Sequence, residues 1–297
     1  MELVGISRSK QFSPNHTGND TQIFHLTIEK LIAKGCKIRE YSEEEFITKE
    51  LPYRYYFGMY RDKRSVAKMK ILEQKGCFSI NTARGIECCY RNNMTQTLIK
   101  HKIPYPKSKI VSINQDVTKA IDELGGENVW IKRGDFHAEQ DEDVSFCKNP
   151  KEWNTLIQKF SHRNIQSVAI SEHIEGDLVK FYGVMGTNFF YWFYPIDMNH
   201  SKFNQEIING KTHHYPFTEK KFQFICQKAA ISLGIQIYGG DAIISSTGAI
   251  HLIDLNDWPS FAPCREKASE AIAECIYKNF KTLSNYGQNK LCVNTKI

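Results

Sequence analysis

The chain has 297 residues, 41% hydrophobic and 24% charged, a balance that suits compact units with sizeable cores and excludes a disordered or fibrous protein. The net charge of +6 is interspersed with acids; a nucleic-acid surface usually shows a denser basic stripe, a pocket for a polyanion such as a nucleoside triphosphate fits equally well, and composition does not decide between them. No apolar run approaches the roughly 20 residues that a bilayer span needs, and MELVGISRSK lacks a signal peptide's apolar core, so the expectation is a cytoplasmic protein without a membrane partner.

Residues 1–80 alternate strand and helix signals. Glu2–Ile6 reads as a buried strand, and the polar loop SRSKQFSPNHTGND follows it. Asp20 or Thr21 caps a helix through Lys34 that Gly35 stops. CKIREYS and YRYYFGMY read as strands, RSVAKMKILEQKG as a helix closed by glycine, and CFSIN as a last strand. This alternation implies a small parallel sheet wound with helices. Ligands of such sheets sit at the carboxyl ends of the strands, where the first loop presents Arg8, Lys10, Asn15 and His16 and a later strand releases Arg61. Together they suggest a substrate-facing rim, although each alone is an ordinary polar loop residue. Cys88-Cys89 are adjacent and no CxxC pair occurs among the nine cysteines, which points to reduced thiols rather than a disulfide framework or a zinc site.

A helix over Arg91–His101 precedes KIPYPKSKIV, where two prolines force extension. ENVWIKRGD is a strand that ends on Lys132 beneath a flexible acidic loop reaching Asp143. A lysine at such a strand end is placed to hold phosphate oxygens, or to snorkel at a sheet edge. A helix around Pro150–Phe160 and the strand SVAISEHI come next. In SEHIEGDLVK, Glu172 is placed to accept from an adenine amino group and the backbone at His173-Ile174 to read the ring edge. Asp177 is placed for ribose hydroxyls and Lys180 for a phosphate. LVKFYGVMGTNFFYWFYPI reads as two aromatic strands around Gly186, and 198–216 as a mobile polar loop carrying Lys211, His213 and His214. Thr218 caps a helix that Gly234 closes. A final helix spans Ala262–Leu283, with a frayed end after it.

Between these last helices lies IQIYGGDAIISSTGAIHLIDLNDWPSF. Thr247-Gly248 is a two-residue hairpin turn in which glycine supplies a positive φ. In that register, positions summing to 495 face each other, so Asp241 and Asp254 are cross-strand neighbours roughly 5 Å apart at Cβ. Asn256 shares the face of Asp254, and Ile243, Ile250 and Leu252 are expected there too. Like charges opposite one another in apolar surroundings call for a hard divalent cation held by two carboxylates and an amide, unless a slipped register leaves both acids at a solvent edge.

The order and spacing of RNNMTQTLIKHKIPYP, VWIKRGD, ISEHIEGDLVKFYGV and GGDAII…AIHLIDLNDWPSF resemble those of the ATP-grasp superfamily over roughly residues 85–280. The resemblance implies an α/β pre-ATP-grasp unit over 1–85. An ATP-grasp fold of two α+β lobes with antiparallel sheets follows, a central lobe over 86–175 and a C-terminal lobe with the metal site over 176–297, with the nucleotide between them. It implies ATP and magnesium (Mg2+) as cofactors. Arg91 stands where the family usually has a phosphate lysine, Lys132 matches the second phosphate lysine, and Lys180 flanks them. Glu172, His173 and Ile174 match the adenine hinge, Asp177 a following polar contact, and Asp241, Asp254 and Asn256 the magnesium ligands, with Asp254 in the place of a more usual glutamate. The loop 133–143 is less glycine-rich than the family's phosphate cover and carries His137 and several acids.

Most enzymes the chain resembles activate a carboxylate as an acylphosphate and let an amine attack it, a route that needs no covalent enzyme nucleophile. The expected function is an ATP-dependent carboxylate–amine ligase similar to glutathione synthetases and glutamate-adding ligases, acting on a small molecule or peptide. Arg8, Lys10 and Arg61 would grip an acidic substrate and Lys211, His213 and His214 close on it. The alternative is a kinase of a small phosphorylated polyol, because VKFYGVMG with Lys180 is also similar to inositol phosphate kinases. A nucleotide-binding module without turnover and a nucleic-acid binder are weaker readings. The resemblance allows a homodimer.

Overall fold

The structure is a computed structural model that describes residues 1–12, 17–126, 128–198 and 208–294, the side chains of 17 and 286–294 excepted. Asn15 and His16 of the expected rim therefore lie outside the described residues, as does 199–207 of the expected polar loop. No helix among the described residues is long and apolar enough to cross a membrane.

The N-terminal unit runs β1 (Glu2–Ser7), α1 (Thr17–Ala33), β2 (Lys37–Ser42), α2 (Glu43–Thr48), β3 (Tyr55–Gly58), α3 (Lys63–Gln74) and β4 (Phe78–Ile80). Its strands form a wholly parallel sheet in the order β2-β1-β3-β4. Period-2 alternation sends Val4, Ile6 and Tyr56 to a core beneath the short helices, while Leu3, Tyr55 and Phe57 face α1. α4 (Ala83–Cys88) and α5 (Arg91–Lys100) lead out of this unit.

The second sheet contains β5 (Ser108–Ser112), β6 (Val129–Arg133), β7 (Val144–Cys147) and β8 (Ser167–Glu172), paired antiparallel in the order β5-β8-β6-β7. α6 (Thr118–Asp122) follows β5, and α7 (Pro150–His162) starts at an Asn149 cap with proline in its first turn. Val129, Ile131, Val168 and Ile170 pack on these helices in one core. The intervening residues, Trp130 and Lys132, consequently face the other way. The acidic loop after β6 ends at Asp143, as expected, but its last residues, Asp141–Asp143, form a 3-10 turn, and the strand β7 that begins at Val144 was not expected.

The third sheet is antiparallel in the order β10-β9-β11-β12, from β9 (Asp177–Val184), β10 (Phe190–Phe193), β11 (Ile237–Ile244) and β12 (Ile250–Asp257). α8 (Glu219–Leu233) ends at Gly234 with φ of 75°, a left-handed cap that suits glycine. Val179, Phe181, Ala242, Ile244 and Leu255 meet α5 and α8 in a core of their own. α9 (Arg265–Asn294) continues eleven residues past the expected end, Leu283. It does not stay with the C-terminal sheet alone. Ala268, Ile272, Ile276 and Phe280 complete the core that Leu3, Phe24 and Phe57 begin, so the last helix covers the first sheet.

Candidate functional site

Asp241 and Asp254 are paired across β11 and β12, as expected, but by a different route. The hairpin tip is three residues, Ser246–Gly248, with Ser245 donating to Ala249 O and Gly248 at φ 75°. Near the tip, positions therefore sum to 494, as in Ile244↔Ile250 and Ala242↔Leu252. A bulge at Ile253 restores the sum to 495 from Asp241↔Asp254 onward. The expected two-residue turn is thus wrong, and the bulge cancels the error where the acids stand. The bulge also puts Ile250 and Leu252 on the face of Ala242, against α8, rather than beside the acids.

Two cations neutralise this acid pair. Lys180 lies opposite Asp241 on β9, and its Nζ donates to Asp241 Oδ1 at 3.1 Å. Arg91, in the first turn of α5, donates from Nη1 to Asp254 Oδ1 at 2.8 Å. Burial pushes the Asp254 carboxyl up, yet Arg91 and Lys132 pull it below the ordinary carboxylate range. Lys132 arrives from the facing sheet and donates to Ile253 O, in the bulge, at 3.2 Å. Burial and then Arg91 lower its ammonium to about 7. Three cations from three elements thus converge on two carboxylates at the gap between the second and third sheets.

Asn256 follows on the same face, and its amide Nδ2 donates to Asp254 Oδ2 at 3.0 Å. Among the described residues no three His, Cys, Asp or Glu side chains group as a metal site. The oxygens on offer are two carboxylates and one amide. That hard, all-oxygen set fits magnesium or a similar cation and does not fit a soft one.

The hinge is organised differently from expectation. The Glu172 carboxylate already accepts from Lys107 N at 2.7 Å, which ties β8 to the chain entering β5. Trp130 Nε1 donates to His173 Nδ1 at 3.1 Å, and Phe146 packs on the His173 ring, with centroids 5.0 Å apart. His173 and Ile174 remain half-buried and accessible. Asp177 is buried and accepts from His213 N at 2.7 Å and Tyr215 N at 2.8 Å. Its carboxylate clamps that segment, so it does not stand free for ribose hydroxyls.

The expected substrate rim divides. Arg8 is buried and bonded through Nε to Met59 O, Nη1 to Asp20 and Nη2 to Trp258 O, so it joins β1 to the end of β12 rather than facing solvent. Arg61 reaches the same strand end, donating to Asp257 O at 3.0 Å. Lys10 and Lys211 are exposed and take no part in a hydrogen bond or ion pair among the described residues. The clamp on Asp177 holds Lys211, His213 and His214 by the hinge end of β9, away from the strand end that Arg61 touches. Four acids of the 133–143 loop are spent on cations outside the site, Glu142 on Lys159 at 2.6 Å. Asp135 and Glu139 bind Arg133, and Asp143 binds Arg163 at 2.6 Å.

Residues that the sequence reading left without a role also gather here. Phe136 is buried against Tyr90, and His137 lies 3.5 Å from Asp257 Oδ1. Burial and then Arg61 hold the His137 imidazole well below its ordinary pKa. Asp257, one residue beyond Asn256 in LNDW, was the available signal.

No protein-family model matches the chain, and no curated protein matches its sequence. Solved structures do. The D-alanine–D-alanine ligase of Coxiella burnetii is 11% identical with a TM-score of 0.67 over 98% of this chain and 100% of that one. A RimK-domain ATP-grasp protein from Sphaerobacter thermophilus is 13% identical with a TM-score of 0.65 over 93% and 99%. The ATP-complexed D-alanine–D-alanine ligase of Bacillus anthracis is 12% identical with a TM-score of 0.65 over 95% and 99%. At these identities the likeness is one of fold.

Proposed function

We propose, on the premise that this chain has the ATP-grasp fold, that it is an ATP-dependent carboxylate–amine ligase forming an amide through an acylphosphate. The observation that carries this reading is the row Lys180, Asp241, Asp254 and Arg91, with Lys132 above it in the gap between two sheets. Arg91, Lys132 and Lys180 bind and orient the phosphate oxygens of ATP, and their fixed positions hold positive charge where negative charge accumulates during transfer. Asp241, Asp254 and Asn256 would hold a magnesium ion, which would supply further charge neutralisation there. His173 and Ile174 offer the edge against which the base rests. The cysteines described are buried or half-buried and desolvation raises the thiol pKa of those around the site, so none is a ready nucleophile, in keeping with a phosphorylated substrate rather than an acyl-enzyme. The substrates are small molecules or peptides.

The test is to incubate the protein with ATP, magnesium and a panel of carboxylic acids in hydroxylamine, which traps acylphosphates as hydroxamates. Hydroxamate and ADP in equal amounts are the expected products. ADP accompanied by a phosphomonoester of an added polyol would instead establish the kinase.

A further inference from the structure

The loop after β6 starts beside the gap between the second and third sheets, because it follows Arg133, the residue after Lys132. Its sequence suggests a flexible acidic cover, whereas its contacts are those of a pinned segment. Glu139–Glu142 are exposed, but Gly134, Phe136, His137 and Asp143 are buried. Gly134 N donates to Ser167 O at 3.0 Å and Gly134 O accepts from Asn92 N at 2.9 Å, so the loop leaves β6 pressed between β8 and α5. A Cβ at Gly134 would stand 2.5 Å from Asn92 Oδ1 and 2.7 Å from Ser167 O, an approach that glycine alone allows. At the far end, Asp143 accepts from Glu139 N at 2.8 Å and Gln140 N at 3.1 Å while it also binds Arg163.

Between these ends, Phe136 enters the core of a different unit. It is 3% exposed and packs in the N-terminal cluster of Val4, Ile6, Tyr56 and Ile86. Its ring centroid lies 5.0 Å from that of Tyr90 and 5.7 Å from that of Phe12, and Lys63 Nζ lies 5.3 Å from it. Lys63, on α3, also stands 3.6 Å from Asp135, the preceding residue. His137, the next residue, has its Nε2 3.5 Å from Asp257 Oδ1 at the end of β12. Opening this loop would draw an aromatic ring out of the N-terminal core and leave a cavity behind it, which a close-packed interior resists.

We propose that Phe136 is a positioning residue that plugs the loop 133–143 into the N-terminal core, making the loop a standing wall of the gap and not a lid that nucleotide closes. A ligand shifts a conformational equilibrium only by binding its states unequally, and a loop already seated has no populated open state to be drawn from. Nucleotide binding then involves no ordering of this loop. The inference concerns the wall beside Lys132 and stands whichever acceptor takes the phosphate.

The test follows hydrogen exchange and digestion by a glutamyl endopeptidase on the intact protein, first without nucleotide and then with ADP and magnesium. In the wild type, the amides of Gly134, Glu139 and Gln140 should exchange at least about a hundredfold more slowly than open chain before nucleotide is added, and ADP should change their rates less than about twofold. The bond after Glu139 should resist cutting, although that side chain is exposed. Phe136→Ala should speed the three amides more than about tenfold, open that bond to cutting, and acquire a slowing by ADP that the wild type lacks. Lost packing alone would not make exchange depend on nucleotide. Phe136→Leu, which keeps an apolar plug, should behave as the wild type. If the three amides exchange as open chain in the nucleotide-free wild type, if ADP slows them about tenfold or more, or if Phe136→Ala changes neither exchange nor cutting, the assignment is wrong. Should Phe136→Ala not fold, the wild type with and without ADP decides alone. Failure to bind ADP would count against the ligase reading and leave the nucleotide-free measurements to decide the wall.

Discussion

Arg91 and Asp254 meet at 2.8 Å with 7% and 22% of their side chains exposed, and they join the first turn of α5 to the middle of β12. In the proposed function, one contact therefore serves both packing and chemistry. Asp254→Asn keeps the volume and one acceptor oxygen but leaves the guanidinium without its counter-charge. Turnover should be abolished, and stability should fall by about 2 kcal/mol, the scale of a hydrogen bond to a charged group. Chemical denaturation beside an ADP-release assay separates the two effects. Normal turnover in this variant would remove Asp254 from the site.

Lys132 carries a pH dependence with a definite sign. Its ammonium is lowered to about 7 by burial and by Arg91. Above that value the folded protein has released a proton that the unfolded chain still holds, so this lysine makes stability rise with pH from about 7 towards the ordinary lysine range. In the proposed function, ATP needs the charged form. Its affinity should therefore fall as pH rises from about 7, by up to about tenfold per pH unit, with proton uptake on binding. Fluorescence titration of ATP across that window checks this. Lys132→Met should bind weakly at every pH, and a wild-type pH profile in that variant would rule the lysine out.

Asp177 clamps the backbone at His213 and Tyr215 by two charge-assisted hydrogen bonds. Asp177→Ala should free both amides and cost about 3 kcal/mol of local stability. Hydrogen exchange at residues 213 and 215 should accelerate by more than tenfold, with the protection of β11 unchanged. Equal protection in wild type and variant would show that the segment is held by its aromatic contacts instead.

Asn81 acts as a piece of β-ladder made by a side chain. Its Nδ2 donates to Ile237 O at 2.8 Å, and its Oδ1 accepts from Gln236 N and Ile237 N at 2.8 and 2.9 Å. These bonds tie the end of β4 to the start of β11. Asn81→Ala should lower global stability by about 3 kcal/mol, one for each lost bond. Thermal or urea unfolding measures it, and a loss below about 1 kcal/mol would mean that these three bonds carry little of the junction between the units.

The parts of the site legible in the sequence are those set by strand periodicity. Lys132 is the outward residue between Ile131 and the loop, and Asp241 faces Asp254 because both belong to one hairpin. The register was nevertheless right at the acids for a wrong reason. A three-residue tip and a bulge at Ile253 leave no separate signature in SSTGAIHLID. Residues whose partners lie far along the chain show no local sign of them. Glu172 bonds 65 residues away and Asp177 bonds 36 and 38 residues away, so the local context shows a free acid where the fold has a committed one. Arg8 bonds Trp258, 250 residues on, and reads locally as an ordinary loop cation.

The packing of α9 against the first sheet reaches into biosynthesis. Leu3, Phe24 and Phe57 leave the ribosome early, whereas Ile272, Ile276 and Phe280 emerge some 200 residues later. Until then the nascent chain displays a greasy plane that α1 covers only in part, and translation that stalls before α9 leaves a sticky fragment instead of a finished domain. The portion synthesised first is completed last.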